Sequence, residues 1–162
     1  GANLLMRLMM IKYICALFIL FSGYTLSANN ENDMGLYRDN NYNILALAGK
    51  YNCGVYSIPD DLSDSNRYNG VQIGTVKLEV TPHADYNNAM INITFDTGVV
   101  ITSPKLELLS TDAKATVYFS ENSGVTFAYM IYDRMGVKVI LHNSNKGQEI
   151  SVGLADCKYE NS

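Results

Sequence analysis

From Val125 to Tyr132 the chain alternates strictly. Val125, Phe127, Tyr129 and Ile131 fall on one phase, and Thr126, Ala128, Met130 and Tyr132 on the other. A period of two places the two sets on opposite faces of a strand. Both phases are largely apolar, which predicts a strand covered on both sides or one with an adhesive outer face. Short turns at Asn122-Ser123-Gly124 and Arg134-Met135-Gly136 flank it, so the block Ser120–Leu141 reads as a centre to which other strands are added. On its N-terminal side, Ala115–Ser120 sets Ala115, Val117 and Phe119 against Thr116 and Tyr118; on its C-terminal side, Val137–His142 continues the pattern.

Further strands follow from the same periodicity. Lys50–Ser57 carries Tyr51, Cys53 and Val55 on one face. Val71–Thr81 changes phase, with Val71 and Ile73 out of step with Val76, Leu78 and Val80; a bulge at Gly74–Thr75 would return both sets to one face. Ala89–Phe95 points Ile91, Ile93 and Phe95 inward and leads into the turn Asp96-Thr97-Gly98. Pro104 interrupts Val99–Ser110, making it one bent edge strand or two short ones. Glu149–Ala155 ends the series. Pro59–Gly70, Pro82–Asn88 and Asn143–Gly147 are loops by their turn-forming residues.

With the Pro104 segment taken as one strand, about eight strands joined by short connections imply an all-β antiparallel meander. A small closed or nearly closed barrel is the expected architecture, with a β-sandwich as the alternative. Cys53 lies in the first strand and Cys157 just beyond the last. A disulfide requires their α-carbons within about 7 Å, which brings first and last strands together.

The N-terminus differs in composition. Arg7 and Lys12 precede the apolar run Tyr13–Phe21, and Ser22–Ala28 is rich in small residues, the layout of a signal peptide over 1–28. The run is shorter than the roughly 20 apolar residues of a membrane-spanning helix, so no stable span is expected after processing. Residues 29–48 read as a flexible polar leader, asparagine-rich to Asn43, and 49–162 as a single all-β domain. Export to the periplasm or the exterior agrees with a Cys53–Cys157 disulfide.

Charge narrows the partners. The formal charge of −4 becomes −6 once Arg7 and Lys12 are removed with the signal peptide. An acidic domain with scattered lysines lacks the footprint of a nucleic-acid binder.

Candidate chemistry is sparse. His83 and Asp85 are close in a loop, yet no Gly-x-Ser-x-Gly nucleophile elbow accompanies them. Asp60, Asp61 and Asp64 offer oxygen ligands to calcium without the spacing of an EF-hand loop or its bidentate glutamate. No glycine-rich phosphate cradle is present and no cofactor is called for. Asn92-Ile93-Thr94 matches a glycosylation acceptor in mid-strand.

More informative is the second face of the central block. Three-residue hairpin loops ending at Gly124 and Gly136 would pair Glu121 with Val125 and Asp133 with Val137. That register gathers Tyr118, Met130, Tyr132, Ile140 and His142 on the face opposite Phe127 and Ile131. Cross-strand packing or a covering second layer accounts for such a face; so does a site for a partner or a homodimer. The tip Asn122, Ser123 and Gly124 is a second contact candidate.

The cysteine placement on a small exported barrel resembles the layout of bacterial C-type lysozyme inhibitors, which insert a Ser-Gly-x-x-Tyr loop into the enzyme's cleft. Here Ser123-Gly124-Val125-Thr126-Phe127 keeps Ser-Gly, has Phe in place of Tyr, and the chain contains no Trp. The resemblance covers the layout and two residues, and implies no membership.

The expected function is therefore an exported, non-enzymatic binding module for another protein, inhibitor-like or immunity-like. A small-ligand carrier using a barrel interior is the alternative, and a small hydrolase the third. Intact mass of the exported protein is expected to show loss of 1–28 and two cysteines resistant to alkylation. An uncleaved chain with free thiols would remove the argument for export.

Overall fold

A computed structural model describes residues 34–58 and 71–160. The expected signal peptide and the calcium candidates Asp60, Asp61 and Asp64 lie outside the described residues. The architecture is all-β. Its strands are β1 (Tyr37–Arg38), β2 (Ile44–Leu45), β3 (Gly49–Ser57), β4 (Gln72–Pro82), β5 (Asn88–Phe95), β6 (Val100–Thr102), β7 (Leu106–Thr111), β8 (Ala115–Asn122), β9 (Val125–Tyr132), β10 (Gly136–Asn143) and β11 (Ile150–Tyr159).

β1 and β2 form a small hairpin. The other nine strands form one antiparallel sheet in the order β4-β3-β11-β10-β9-β8-β7-β5-β6, and an additional β4–β5 pairing closes it into a ring. Consecutive strands are neighbours almost throughout, as short connections dictate. First and last strands meet as expected, with Leu154 opposite Val55. Cys53 and Cys157 form a disulfide across this seam, 104 residues apart in sequence.

Pro104 divides β6 from β7, and both run along the same side of β5. Ser103 holds the junction: its N–H donates to the Ile91 carbonyl at 2.9 Å, and its hydroxyl accepts the Ile91 N–H at 2.9 Å. The β5–β7 ladder is short, limited to Asn88–Glu107 and Ala89–Leu106.

The inward phases fill the ring. Leu78, Ile91, Ile93, Leu106, Val139 and Leu154 are fully buried, with Tyr51, Tyr118 and Tyr129 as the largest side chains among them. The rings of Tyr118 and Tyr129 stack with centroids 5.6 Å apart. Tyr118 donates its hydroxyl to the Tyr86 carbonyl at 2.7 Å. The Tyr129 hydroxyl is buried and has no hydrogen-bond partner among the described residues, and burial raises its pKa well above that of a free phenol.

From Met34 onward, the stretch read as a leader packs against one end of the ring. Ile44 and Ala46 are fully buried within the inner core. The Ile44 carbonyl accepts from the hydroxyls of Thr116 (2.5 Å) and Thr111 (3.1 Å), and its N–H donates to Asp112 (3.1 Å). Arg38 donates to the Ala113 carbonyl at 2.8 Å, and Tyr51 to the Gly35 carbonyl at 3.3 Å. Gly35 adopts φ +65°, and a Cβ there would lie 2.7 Å from the Tyr51 ring, so glycine permits this approach.

Two registers differ from expectation. The β8–β9 loop holds two residues, Ser123 and Gly124, so Asn122 pairs with Val125 and Tyr118 with Tyr129. Shifting a register by one residue turns a whole strand over. Tyr118 therefore points into the ring, and Val117 and Phe119 occupy the outer face. The β9–β10 pairing moves by two, Tyr132 opposite Gly136, which preserves the faces of Met130 and Ile140. In β4 the register shift falls at Ile73, between the Tyr56–Gln72 and Val55–Gly74 pairs, and leaves Val71 and Ile73 exposed rather than inward.

Removing the Tyr118 and Tyr129 hydroxyls should have opposite consequences. Tyr118→Phe loses a hydrogen bond and is expected to cost about 1 kcal/mol, whereas Tyr129→Phe removes an unsatisfied buried group and should be neutral or stabilising. Urea denaturation of both variants checks this; equal destabilisation would mean that Tyr129 has a partner.

Candidate functional site

The β8–β9 tip is built by backbone conformation. Ser123 (φ +51°) and Gly124 (φ +79°) both occupy the left-handed region, the requirement of a two-residue turn that follows the twist of its strands. Glycine does so freely; serine at positive φ is uncommon and is held by its surroundings. The β10–β11 loop supplies the hold. Asn145 donates its side-chain N–H to the Ser123 carbonyl at 2.8 Å, and Ser144 its backbone N–H to the Gly124 carbonyl at 3.0 Å. Asn143 in turn accepts the Asn145 N–H at 2.9 Å. A Cβ on Gly124 would come 3.0 Å from Asn145 Oδ1 and 3.1 Å from Ser144 Oγ. The two loops thus form one fastened polar rim, with Asn122, Ser123, Gly124, Ser144 and Asn145 exposed.

Beside the rim lies a groove of about 400 Å³ that includes Lys105, Glu107, Leu109, Phe119, Glu121 and Asn122 in its lining. Pairing of β7 with β8 stops at Glu107–Phe119, whereas β8 continues to Asn122. The groove occupies that divergence and joins the tip through Asn122.

The aromatic face expected from the sequence is differently composed. Met130 and Ile140 lie together on the outer face and are fully buried, joined by Val117, Phe119, Ala128 and Ile58, with Tyr132 packed alongside. Tyr118 is absent from it. His142 is half-buried at the margin, its Nδ1 3.2 Å from Ser151 Oγ. This surface is a second core of the chain, and Ile58 at the end of β3 contributes to its cover.

Next to it, Lys138 is buried. Desolvation lowers its pKa to about 8, against an opposing influence from the Asp156 carboxylate. Tyr56 hydrogen-bonds to that carboxylate across β3 and β11. Asp156 takes φ +53° where the β3–β11 register shifts, a left-handed conformation that costs a non-glycine residue on the order of 1–3 kcal/mol. Neither this group nor the Asn145 clasp was anticipated from the sequence. Alternation identified the strands, but the bulge at Asp156 and the loop-to-loop bonds depend on geometry.

His83 and Asp85 are 2.8 Å apart and exposed. Their bonds belong to the β4–β5 turn: Asp85 accepts the Asn87 N–H at 3.0 Å, and the His83 N–H donates to the Asn88 carbonyl at 2.8 Å. The Asn87 N–H, followed by His83, lowers the Asp85 pKa. Among the described residues no group of three His, Cys, Asp or Glu side chains is placed to hold a metal ion, and no helix is long and apolar enough to cross a membrane.

No protein-family model, curated protein or solved structure matches this chain. Function must be read from the rim, the groove and the faces themselves.

The Lys138 environment sets a pH dependence. A lysine whose folded pKa lies near 8, below its unfolded value near 10.5, binds fewer protons in the folded state between those values, so its contribution to stability rises with pH across that window. Lys138→Met removes the titration. Its stability relative to wild type should therefore be more favourable at about pH 7 than at about pH 9.5. A difference independent of pH in paired urea titrations would contradict a depressed Lys138.

Proposed function

We propose that this chain is an exported, non-enzymatic module that binds another protein through the rim formed by Asn122–Gly124 and the Asn143–Gly147 loop. The ring is read as a small, filled barrel that carries this rim. The observation that supports the reading most directly is the clasp from Asn145 and Ser144 onto Ser123 and Gly124. It fixes an exposed polar tip before any partner arrives, which lowers the ordering cost of association. The adjoining groove, with the exposed Leu109 among Lys105, Glu107 and Glu121, offers an apolar contact beside hydrogen-bonding groups. The Cys53–Cys157 disulfide is compatible with an oxidising, exported location.

A carrier would need interior volume, and the interior positions are taken by Tyr51, Tyr118, Tyr129 and their aliphatic neighbours. A protein-binding rim is favoured for that reason. Inhibition or neutralisation of a secreted protein is the concrete form of the proposal.

Capture from the extracytoplasmic fraction of the native host tests it. Asn145→Ala loosens the tip and is expected to weaken capture of a specific partner roughly three- to tenfold, the effect of losing one hydrogen bond of about 0.5–1.5 kcal/mol. Ser123→Lys should weaken it further, and His83→Ala should leave it unchanged. Capture insensitive to both rim substitutions would refute the rim as the contact surface.

A further inference from the structure

Among the described residues every strand of the nine-stranded sheet except β6 has a neighbour on each side along at least part of its length; β6 pairs with β5 alone. The hydrogen bonds at either end of this pairing define which groups are left. Phe95 N–H donates to the Val99 carbonyl and Ser103 N–H to the Ile91 carbonyl, each at 2.9 Å. Alternation then directs the N–H and C=O of Ile101 toward β5 and those of Val100 and Thr102 away from it. Position 104 has the same outward orientation, and there proline needs no partner for an N–H. Among the described residues nothing pairs with the outward groups of Val100 and Thr102.

This edge also lacks the usual protection. Val99-Val100-Ile101-Thr102-Ser103 contains no charge, and Val99 and Val100 are 55% and 56% exposed. Natural edge strands are commonly shielded by charged side chains. Here the shield is limited to the shortness of β6 and to Pro104.

We propose that β6 is a self-association edge that pairs antiparallel with β6 of a second copy of this chain. The pattern is self-complementary. A two-fold axis through Ile101 sets Val100 opposite Thr102 of the second copy, and Thr102 opposite its Val100. Each outward N–H then meets an outward C=O, and all are satisfied. Ile101 faces its own counterpart across a non-hydrogen-bonded position, where side chains are closest. Val100 loses its exposure beside threonine.

Charge at the edge admits a second copy of this acidic chain. The chain as a whole carries −4, yet the strand itself is neutral. The outer-face groove of about 380 Å³ that abuts Val100 and Thr102 balances Lys50 and Lys77 against Glu79 and Glu160. Two acidic copies therefore meet at this edge without opposing like charges. The edge ends at Pro104, beside Lys105 in the lining of the groove that adjoins the rim.

Sedimentation equilibrium of the full chain from low to high micromolar concentration tests the inference. A reversible dimer is expected, with Val100→Lys and Thr102→Pro each raising its dissociation constant about tenfold or more. Val100→Lys sets like charges near the axis; Thr102→Pro deletes an outward N–H and leaves the bonds to β5 intact. Thr97→Lys, in the neighbouring turn, should have no effect. Far-UV circular dichroism and non-reducing mass establish that the variants fold. A monomer over the whole range overturns the proposal, as does self-association that both β6 substitutions leave unchanged.

Discussion

The β3–β11 ladder is the contact that makes one ring of a linear series of hairpins. Nearly all the other pairings join strands adjacent in sequence and can form locally. This one joins residues about a hundred positions apart, and closing so long a loop carries the largest chain-entropy cost in the fold. The Cys53–Cys157 disulfide crosses this same seam. Its cross-link removes on the order of 4–5 kcal/mol of that entropy from the unfolded chain in the chain-entropy model. Closure also removes two sheet edges that would otherwise be open to pairing with other chains.

Once the ring closes, its two surfaces meet different demands. The inside must be filled, and it is filled largely by β-branched residues and tyrosines, with the β1–β2 hairpin packed against one end. Burying Ile44 contributes roughly 1.5–3 kcal/mol. Ordering each backbone residue costs about 1–2 kcal/mol, so apolar burial alone does not hold the segment. The bonds from Arg38, Thr111 and Thr116 and to Asp112 add to it, and they attach the segment at the β7–β8 turn. On the outside, the arc of β8–β10 carries a second apolar cluster, whereas the surface beside β4–β6 contains grooves and exposes Ile73, Met90, Val99 and Val100 among polar side chains.

Much of the fold was legible in the alternation of side chains, because a period of two depends only on strand geometry. The strands from β3 onward and their order follow from it, while the break comes from Pro104 and the meeting of first and last strands from pairing Cys53 with Cys157. The site was less legible, and a single turn explains most of the difference. Asn122-Ser123-Gly124 is compatible with a three-residue loop ending in glycine and with a two-residue loop that places Ser123 at positive φ. The two differ by one residue of register, and that residue decides whether Tyr118 lies inside the ring or on its surface. Local propensity favours the first. The bond from Asn145 to the Ser123 carbonyl supports the second, and it comes from a loop more than twenty residues away. In the same way, the apolar run Ile44–Ala48 is too short to announce itself as core; its burial depends on hydroxyls presented by β7 and β8.

The apolar character of the central block is thus consumed within the molecule. Met130 and Ile140 have no exposure, and the side chains around them are already in contact with one another. A partner could reach them only by displacing that packing, at a cost of roughly 1.5–3 kcal/mol for each large side chain uncovered. A partner at the rim displaces only solvent, because Asn122, Ser123, Ser144 and Asn145 are exposed and already fixed. The same comparison separates the two kinds of strand boundary in the sheet. Where β8 outruns β7, the groove leaves side chains of both charges facing solvent. Where β6 outruns the ring, a neutral edge leaves backbone groups facing solvent. Side-chain chemistry suits recognition of a particular partner, and backbone groups suit addition of a strand. In the proposed reading, partner binding uses the side chains at the first of these boundaries and strand addition the backbone groups at the second.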